Sequence, residues 1–322
     1  MQKTLFHEKQ TIIENCLFGV DINPNSVKIC RLRLWIELLK NAYYREATAS
    51  GERELETLPN IDINIKCGNS LISRYALDAD IKKALKRSKW TIDSYRLAVM
   101  QYRNARNKDE KREMELLITS IKSDFESEVS RNDKRVLLLN NLRGELYNLS
   151  NQTSLFELSK TEKAKFNKAV ADKTAKIERL EAELEEIRNN RIYENAFEWR
   201  FEFPEVLNDD GEFIGFDVVI GNPPYIRQEE FAELKPYLKQ RYRVYHSMAD
   251  LLTNFVELGF DLLKQKGTFQ FIISNKFTRA NYGSQLRNFL IHETQLTHFI
   301  DFSGIPVFDE ATVDAAIVGY IK

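Results

Sequence analysis

Short apolar runs alternate with amphipathic segments in the first part of the chain. Residues 17–22 form an apolar run that predicts a buried strand, and residues 61–66 alternate apolar and polar side chains, which predicts a second strand. Between them, Asn23 is placed to be the N-cap of a helix and Pro24 its first residue. Apolar residues then recur at helical spacing at Val27, Cys30, Leu34 and Leu38. The richness of this helix in apolar residues indicates that it packs on a sheet and beneath another element.

The last third of the chain shows the same alternation. The predicted elements are a buried strand at 216–220, a helix at 251–263, a strand at 269–273 after a turn at Gly267, a helix at 282–292 and apolar runs at 296–302 and 315–321. Strands that alternate with helices predict an α/β fold with a mostly parallel, twisted sheet and helices on both faces. The two closing strands could pair antiparallel.

The middle of the chain has a different character. Between about residues 76 and 195 proline is absent, Gly144 is the one glycine, and Lys, Arg and Glu dominate. Apolar stripes at helical spacing run along this segment at Leu116, Leu117, Ile118, Ile121 and Phe125, at Val136 to Leu139, Leu142 and Leu146, and at Ile177, Leu180, Leu184 and Ile187. The pattern predicts two or three long antiparallel helices, the last resembling a coiled-coil seam, with a break near 149–154.

We therefore predict three segments: a first part of the α/β domain at 1–75, a helical, coiled-coil-like insertion at 76–195, and a second part of the α/β domain at 196–322. The insertion is either an arm that contacts DNA or a partner, or a solvated structural hairpin between strands of the sheet. Acidic and basic residues are mixed throughout it, which favours the structural hairpin.

Composition narrows the class of protein. The chain of 322 residues is 43% hydrophobic and 30% charged, with a net charge of −1, so it can bury a core but lacks the excess of basic residues expected of tight DNA binding unaided. Cys16, Cys30 and Cys67 have no metal-like spacing and lie in or beside apolar segments, so we expect buried free thiols. No membrane span or secretory signal is predicted, which favours a cytoplasmic protein.

The loop Asn222-Pro223-Pro224-Tyr225 carries the chemistry of the chain. It follows a strand at the carboxyl edge of the predicted sheet, where open α/β sheets bind ligands. The prolines stiffen the loop, so the Asn222 amide oxygen and a nearby carbonyl can face outward as acceptors. The Tyr225 ring offers a surface for stacking a planar group. The loop suits a planar exocyclic amine such as adenine N6, although an ordinary strand-terminating turn is the alternative.

Residues 216–225 resemble the fourth motif of methyltransferases that use S-adenosylmethionine, in particular N6-adenine DNA methyltransferases of the type IIG restriction–modification and phage-defence kind. Further resemblances to this family lie at 18–24, 66–71, 199–206, 271–276 and 307–313. The resemblance implies a Rossmann-like methyltransferase sheet with a long α-helical insertion. It also implies S-adenosylmethionine as cofactor, double-stranded DNA as partner of the full-length enzyme, and no metal.

The resemblance assigns the cofactor contacts to Asp21, Ile22 and Asn69. A carboxylate at the end of a strand can accept hydrogen bonds from a ribose diol, so Asp21 would hold the ribose and Ile22 would line the adenine pocket. Asp21 could instead cap the helix that begins at Pro24, but Asn23 is the better candidate for that cap. The family often has an acidic residue at the position of Asn69; the Asn69 amide oxygen can still accept, or Asn69 is a turn residue.

The same resemblance assigns catalysis to the loop. Asn222 Oδ1 and the Pro223 carbonyl would accept hydrogen bonds from the target amine, braced by Pro224, with no general base required. The adenine would leave the DNA stack and land on Tyr225, with Phe308 on the opposite wall. Lys276 could meet a phosphate. The alternatives are a core phenylalanine at 308 and an exposed strand-end lysine at 276.

The first motif of the resembled enzymes, a Gly-x-Gly loop after the first strand, has no counterpart, since no two glycines lie two positions apart. A target-recognition domain is not evident either. We therefore expect an incomplete methyltransferase sheet without its first strand, in a fragment of a larger enzyme that is inactive by itself. The alternative functions are a protein glutamine N5-methyltransferase, which has the same tetrapeptide, and a non-catalytic helical scaffold. The oligomeric state is open.

Overall fold

A computed structural model describes residues 2–44, 55–56, 58–78, 82–152, 160–308 and 314–322. The helices are α1 (Gln2–Cys16), α2 (Pro24–Leu39), α3 (Lys82–Leu85), α4 (Ile92–Asn104), α5 (Lys108–Arg131), α6 (Lys134–Gln152), α7 (Lys160–Asn189), α8 (Trp199–Glu202), α9 (Lys235–Arg241), α10 (Leu252–Leu262) and α11 (Ser284–Glu293). The strands are β1 (Gly19–Asp21), β2 (Ile65–Cys67), β3 (Phe216–Gly221), β4 (Leu263–Ser274), β5 (Gln295–Asp301) and β6 (Ala315–Ile321). The predicted α/β class with a long helical insertion is confirmed. In the described part of the chain, no helix has both the length and the apolar character required to cross a bilayer.

The chain divides into two compact units. Unit 1 consists of Met1–Gly68, Arg74–Pro204 and Asp209–Glu212, and unit 2 of Asn69–Ser73, Glu205–Asn208 and Phe213–Lys322. Each unit has its own sheet, of two strands in unit 1 and four strands in unit 2 as far as the described residues show. The three segments predicted with boundaries at 75 and 195 stay a prediction.

Unit 1 begins with a strand–helix–strand arrangement. Strands β1 and β2 pair in parallel, with Gly19 opposite Ile65 and Asp21 opposite Cys67. The predicted strand at 17–22 is therefore shorter than expected. Helix α2 begins as predicted, because the Asn23 side chain accepts a hydrogen bond from the backbone N–H of Asn25 at 2.9 Å and Pro24 occupies the first turn.

Asn64 joins α1 to the start of β2. It is 1% exposed, and its Nδ2 donates to the carbonyl oxygens of Ile13, Glu14 and Leu17 at 3.1, 2.7 and 3.1 Å. Carbonyl groups in the last turn of a helix have no partner within the helix. The buried amide therefore completes the hydrogen bonding of the C-terminal end of α1.

Helix α2 is covered on one face only among the described residues. Val27 and Leu38 are buried, whereas apolar side chains elsewhere on the helix are exposed: Ile29, Leu32, Ile36 and Leu39. On the covered face, Phe6 and Ile13 of α1 form one buried cluster with Leu38, so a second element does pack on this helix, but it leaves the other apolar side chains exposed.

The expectation of buried cysteines is wrong, since Cys16, Cys30 and Cys67 are all exposed free thiols. Cys16 and Cys67 are the last residues of α1 and β2. Cys30 lies in α2 but outside the helix face that contains the buried residues Val27 and Leu38. An apolar neighbourhood in sequence therefore did not place these side chains in a core.

Glu202, at the end of α8, connects the long helix α5 to strand β2 in unit 1. Its carboxylate accepts a hydrogen bond from Lys66 of β2 at 2.8 Å and another from Lys122 of α5 at 2.5 Å. The Lys66 ammonium group also lies 4.8 Å from the centre of the Phe203 ring. Tyr95 of α4 is fully buried and donates to the carbonyl oxygen of Phe201 at 2.7 Å. These contacts hold α4, α5 and β2 together.

Helices α6 and α7 pack through a narrow apolar seam. Leu139, Leu142 and Ile177 are buried there, flanked by Leu146, Leu180 and Leu184. The predicted stripe at Ile177, Leu180 and Leu184 is thus confirmed, whereas Leu137 and Leu138 are exposed. The side chain of Ile187 lies outside the described residues. The predicted break near 149–154 falls partly outside them too, since α6 continues to Gln152.

Unit 2 is built on a mixed sheet with the strand order β3-β4-β6-β5. Strands β3 and β4 are parallel, and β6 is antiparallel to both β4 and β5. The antiparallel pairing suggested for the closing strands is confirmed. Because β5 runs in the same direction as β3 and β4, the carboxyl ends of these three strands lie at one edge of the sheet.

Two details of this sheet differ from expectation. Strand β3 was predicted to be buried, but Val218 is 57% and Ile220 is 75% exposed. Both lie on the face of the sheet that carries Thr268 and exposed Gln270, opposite to the face on which Phe269 packs against α10. The turn predicted at Gly267 is instead an irregularity inside β4, where Lys266 has a φ of 65°.

Helix α10 packs on β4 through a glycine. Phe269 is fully buried and stacks on Tyr320 of β6, with ring centroids 4.3 Å apart and an interplanar angle of 11°. A Cβ atom at Gly259 would lie 2.2 Å from Cε2 of Phe269. A hydrogen at position 259 is therefore required for α10 to approach the sheet this closely.

We expect Gly259→Ala to destabilise the protein by about 1–3 kcal/mol in urea unfolding, because overpacking against Phe269 outweighs the gain in helix propensity. Gly144→Ala is the matched control. A Cβ atom at Gly144 in α6 meets nothing within 4 Å, so this change should stabilise by about 0.5–1 kcal/mol. Equal effects of the two substitutions would contradict the close approach of α10.

We expect Glu202→Gln to destabilise by about 3 kcal/mol at pH 7, because it leaves the half-buried ammonium groups of Lys66 and Lys122 without their carboxylate. Burial acts to raise the pKa of Glu202, but Lys66 and Lys122 exceed that effect and lower it below its ordinary 4.5. Stabilisation by a depressed carboxyl pKa is lost as the pH falls through that pKa. The difference from wild type should therefore shrink below about pH 4.

Urea unfolding between about pH 3 and 7 checks this pH dependence. Glu113→Gln, on the exposed side of α5, is the control and should change stability by less than about 0.5 kcal/mol at every pH. A difference between Glu202→Gln and wild type that stays constant down to the lowest pH would contradict the ion-pair account.

Candidate functional site

The loop Asn222-Pro223-Pro224-Tyr225 leaves the carboxyl end of β3 in unit 2. The Asn222 and Pro224 side chains are exposed, Pro223 is buried, and Tyr225 is half-buried. At the start of the loop, a Cβ atom on Gly221 would lie 2.9 Å from Cε1 of Phe271. At its end, the Ile226 carbonyl oxygen accepts a hydrogen bond from the Leu251 N–H at 3.1 Å. The loop is thus fixed to β4 on one side and to the start of α10 on the other.

Tyr225 and Phe308 are brought together although 83 positions separate them in the sequence, 308 minus 225. Their ring centroids are 6.3 Å apart with an interplanar angle of 66°. The Tyr225 hydroxyl is buried without a hydrogen-bond partner among the described residues, and burial raises the pKa of Tyr225. A buried polar atom without a partner marks a place where a ligand or water is accommodated. Residues 309–313 of the motif that includes Phe308 lie outside the described part.

A charged group at the same edge of the sheet was not foreseen from the sequence. Asp250, just before α10, is half-buried; burial raises the pKa of its carboxyl, while Lys276 and Arg227 oppose that rise. Lys276 itself is exposed, at the end of β4. Asn254 in α10 is 2% exposed, and its Nδ2 has no partner in the described part of the chain. The sequence signal for this group was a polar residue, Asn254, among the apolar residues of the predicted helix at 251–263.

The predicted ribose contact lies in unit 1. Asp21 is exposed at the carboxyl end of β1, and its Oδ1 accepts a hydrogen bond from the Asn23 N–H at 2.7 Å. Asn23, and not Asp21, supplies the cap of α2. The second oxygen of Asp21 accepts no hydrogen bond from the described residues, so the carboxylate can bind a further donor. Ile22 follows with 62% of its side chain exposed, and its carbonyl lies 3.5 Å from Cys67 Sγ.

Asn69 belongs to unit 2 and forms a local turn. Its Oδ1 accepts from the Leu71 N–H at 3.2 Å, and its carbonyl oxygen accepts from the Ile72 N–H, also at 3.2 Å. The turn is held by Tyr242, whose hydroxyl donates to the Leu71 carbonyl oxygen at 2.9 Å. The side chain of Asn69 therefore has a structural task, and one lone pair of its amide oxygen remains for another donor.

We expect Asn23→Ala to destabilise unit 1 by about 1 kcal/mol, because the first turn of α2 loses its side-chain acceptor. Asp21→Asn is the matched variant: its amide oxygen can still accept from the Asn23 N–H, so stability should change by less than about 0.5 kcal/mol. Urea unfolding measures both. A larger loss for Asp21→Asn than for Asn23→Ala would contradict the assignment of the cap to Asn23.

The sequence matches one family of known proteins and several of its members. The model of a family described as Eco57I restriction-modification methylase matches residues 15–308. An inferred type II restriction enzyme and methyltransferase of Methanocaldococcus jannaschii is 29% identical over 336 residues, covering 98% of this chain and 26% of that protein. The type II methyltransferase M.BstVI of Geobacillus stearothermophilus is 38% identical over 112 residues, covering 34% of this chain and 20% of that protein.

The chain thus spans about a quarter or less of the length of these curated relatives. Among solved structures, an inferred class I S-adenosylmethionine-dependent methyltransferase from Listeria monocytogenes is similar, with 13% identity and a TM-score of 0.29. The match covers 76% of this chain and 85% of that chain.

Proposed function

Since the chain belongs to the Eco57I restriction-modification methylase family, we propose that the full-length protein is a DNA methyltransferase that acts on N6 of adenine. The observation that carries the proposal is the pairing of Tyr225 with Phe308 next to the exposed amide of Asn222. Two aromatic rings and an amide oxygen are the groups needed to hold a flat base and its exocyclic amine. Duplex DNA hides that amine, so the adenine would have to leave the stack to reach the loop.

S-adenosylmethionine is the methyl donor of this family, and it supplies a sulfonium methyl group that an amine can attack. The chemistry of the residues present fits this cofactor. Asp21 has a carboxylate oxygen free for a ribose hydroxyl, and the neighbouring Ile22 offers an exposed apolar side chain for the adenine ring. Asn69 would accept from the adenine amine through the remaining lone pair of its amide oxygen.

The loop would act by orientation rather than by proton abstraction. Asn222 Oδ1 and the Pro223 carbonyl oxygen would accept hydrogen bonds from the two hydrogens of the target amine. This holds the nitrogen so that its lone pair points away from the ring plane, toward the methyl group. Pro223 and Pro224 limit the motion of the loop, since each fixes φ. The amine would release one proton to solvent as it takes the methyl group, whose bond to the cofactor's sulfur would break and leave a neutral thioether.

The aromatic rings and the charged groups would position the base and its backbone. The ring of Tyr225 would stack on the extruded adenine, and Phe308, whose ring lies edge-on to Tyr225, would border the base. Exposed Lys276, at the same edge of the sheet, would contact a DNA phosphate. The isolated chain is proposed to be inactive, because no Gly-x-Gly loop for the cofactor occurs in its sequence.

We expect Asn222→Ala in the full-length protein to lower the rate of adenine methylation about 100-fold or more, because one acceptor for the amine is lost. Methyl-labelled cofactor, unmethylated genomic DNA and nucleoside analysis of the product measure the rate and the modified base. Asn281→Ala, at an exposed position of unit 2, is the control and should retain full activity. Thermal unfolding of both variants should match wild type.

The same assay separates the proposal from its alternatives. Label on cytosine would contradict adenine as the target. Label on the glutamine of a release factor, with none on DNA, would assign a protein glutamine N5-methyltransferase instead. Full activity of Asn222→Ala would show that the loop has no part in catalysis. If the wild-type protein methylates neither substrate, the remaining alternative is a non-catalytic helical scaffold.

A further inference from the structure

Asn275, the residue that follows β4, bonds to both limbs of the segment that connects β5 to β6. Its side-chain Nδ2 donates to Asp301 Oδ1 at 3.0 Å and to Ser303 Oγ at 2.7 Å, on the limb that leaves β5. Its backbone N–H donates to the carbonyl oxygen of Asp314 at 3.0 Å, on the limb that enters β6. Asn275 is 7% exposed, whereas its side-chain partners Asp301 and Ser303 lie at the surface.

Asp301 is the centre of the same network. Besides the bond from Asn275, its Oδ1 accepts from the Ser303 N–H at 3.0 Å and from Ser303 Oγ at 2.8 Å. The hydrogen bonds from Ser303 and Asn275 lower the pKa of the Asp301 carboxyl. The segment then turns: the Ile305 N–H donates to the Phe302 carbonyl at 2.9 Å, and Gly304 adopts a φ of 78°.

Phe308 lies three residues beyond this turn, where its ring faces Tyr225 at 6.3 Å. We propose that Asn275 is a positioning residue that ties the limbs of the β5–β6 segment to the end of β4 and so holds Phe308 opposite Tyr225. The catalytic part of this inference rests on the proposed function; the part that concerns the segment does not. Among the described residues, no hydrogen bond joins this network to the loop at 222–225, so Asn275 acts through the segment.

The chemistry of the site explains why an amide suits position 275. The side chain must donate to a carboxylate, which a neutral amide does and an aspartate at neutral pH does not. An aspartate there would also place a second negative charge beside Asp301. Exchanging the two residues would restore one donor and one acceptor, since an asparagine at 301 can donate to an aspartate at 275 while still accepting from Ser303.

The test is hydrogen exchange of backbone amides in this chain, followed by mass spectrometry. In Asn275→Asp, peptides covering 302–308 should exchange on the order of tenfold faster, because the hydrogen bonds that the Asn275 amide donates to Asp301 and Ser303 are lost. Peptides from β4 and β6 should keep their wild-type rates. The double variant Asn275→Asp/Asp301→Asn should recover most of the protection. Asn281→Asp, the same change at an exposed position nearby, should have no effect.

Unchanged exchange at 302–308 in Asn275→Asp, or faster exchange spread over the whole of unit 2, would overturn the proposal. If Asn275→Asp does not fold, Ser303→Ala removes one acceptor from the network and should show the same local acceleration to a smaller degree. No change there would overturn the proposal as well.

Kinetics of the full-length protein test the catalytic part. Asn275→Asp should lower kcat with the KM for S-adenosylmethionine unchanged, and the exchanged pair should restore kcat. A local acceleration of exchange combined with wild-type kcat would remove the link to Phe308. Absence of methylation by the wild-type protein would instead count against the proposed function and leave the exchange result standing.

Discussion

The candidate site depends on the parallel pairing of β3 with β4. Gly221 stands opposite Phe271 in this pair, and a Cβ atom at position 221 would lie 2.9 Å from the Phe271 ring. The two strands can therefore approach closely at the point where the loop with Asn222 leaves the sheet. Because the Leu251 N–H holds the other end of the loop, the outward direction of the Asn222 side chain follows from backbone contacts rather than from the side chain itself.

Strand direction explains why distant residues meet. In unit 2, β3, β4 and β5 run the same way, and β6 returns between β4 and β5. Their carboxyl ends carry the loop with Tyr225, the turn with Asn275, and the segment with Phe308. Such an edge is where open α/β sheets bind ligands. Phe308 lies in the connection from β5 to β6, residues 302–314, and its ring comes within 6.3 Å of the Tyr225 ring at this edge.

Part of this structure could be predicted from local signals. The Asn23–Pro24 start of α2 and the α7 seam at Ile177 were found correctly, because caps and helical periodicity act between neighbours in sequence. Burial was harder to predict. Apolar Val218 in β3 is exposed, because it lies on the face of the sheet opposite to the one that packs on α10, and the three cysteines are exposed as well. Periodicity shows which side of an element is apolar, and not whether a neighbour covers it.

The amino-acid sequence by itself determined the α/β class, the helical insertion and the tetrapeptide that ends β3, since these follow from spacing and from the backbone limits of proline. The tertiary structure decided which side chains cooperate. It brought the Phe308 ring next to the Tyr225 ring and let Asn275 hydrogen-bond to both ends of the segment between β5 and β6. It also placed the carboxylate of Glu202 between a lysine of β2 and a lysine of α5. These contacts join residues far apart in the chain, and no local pattern encodes a distance that arises only when strands pair and helices pack.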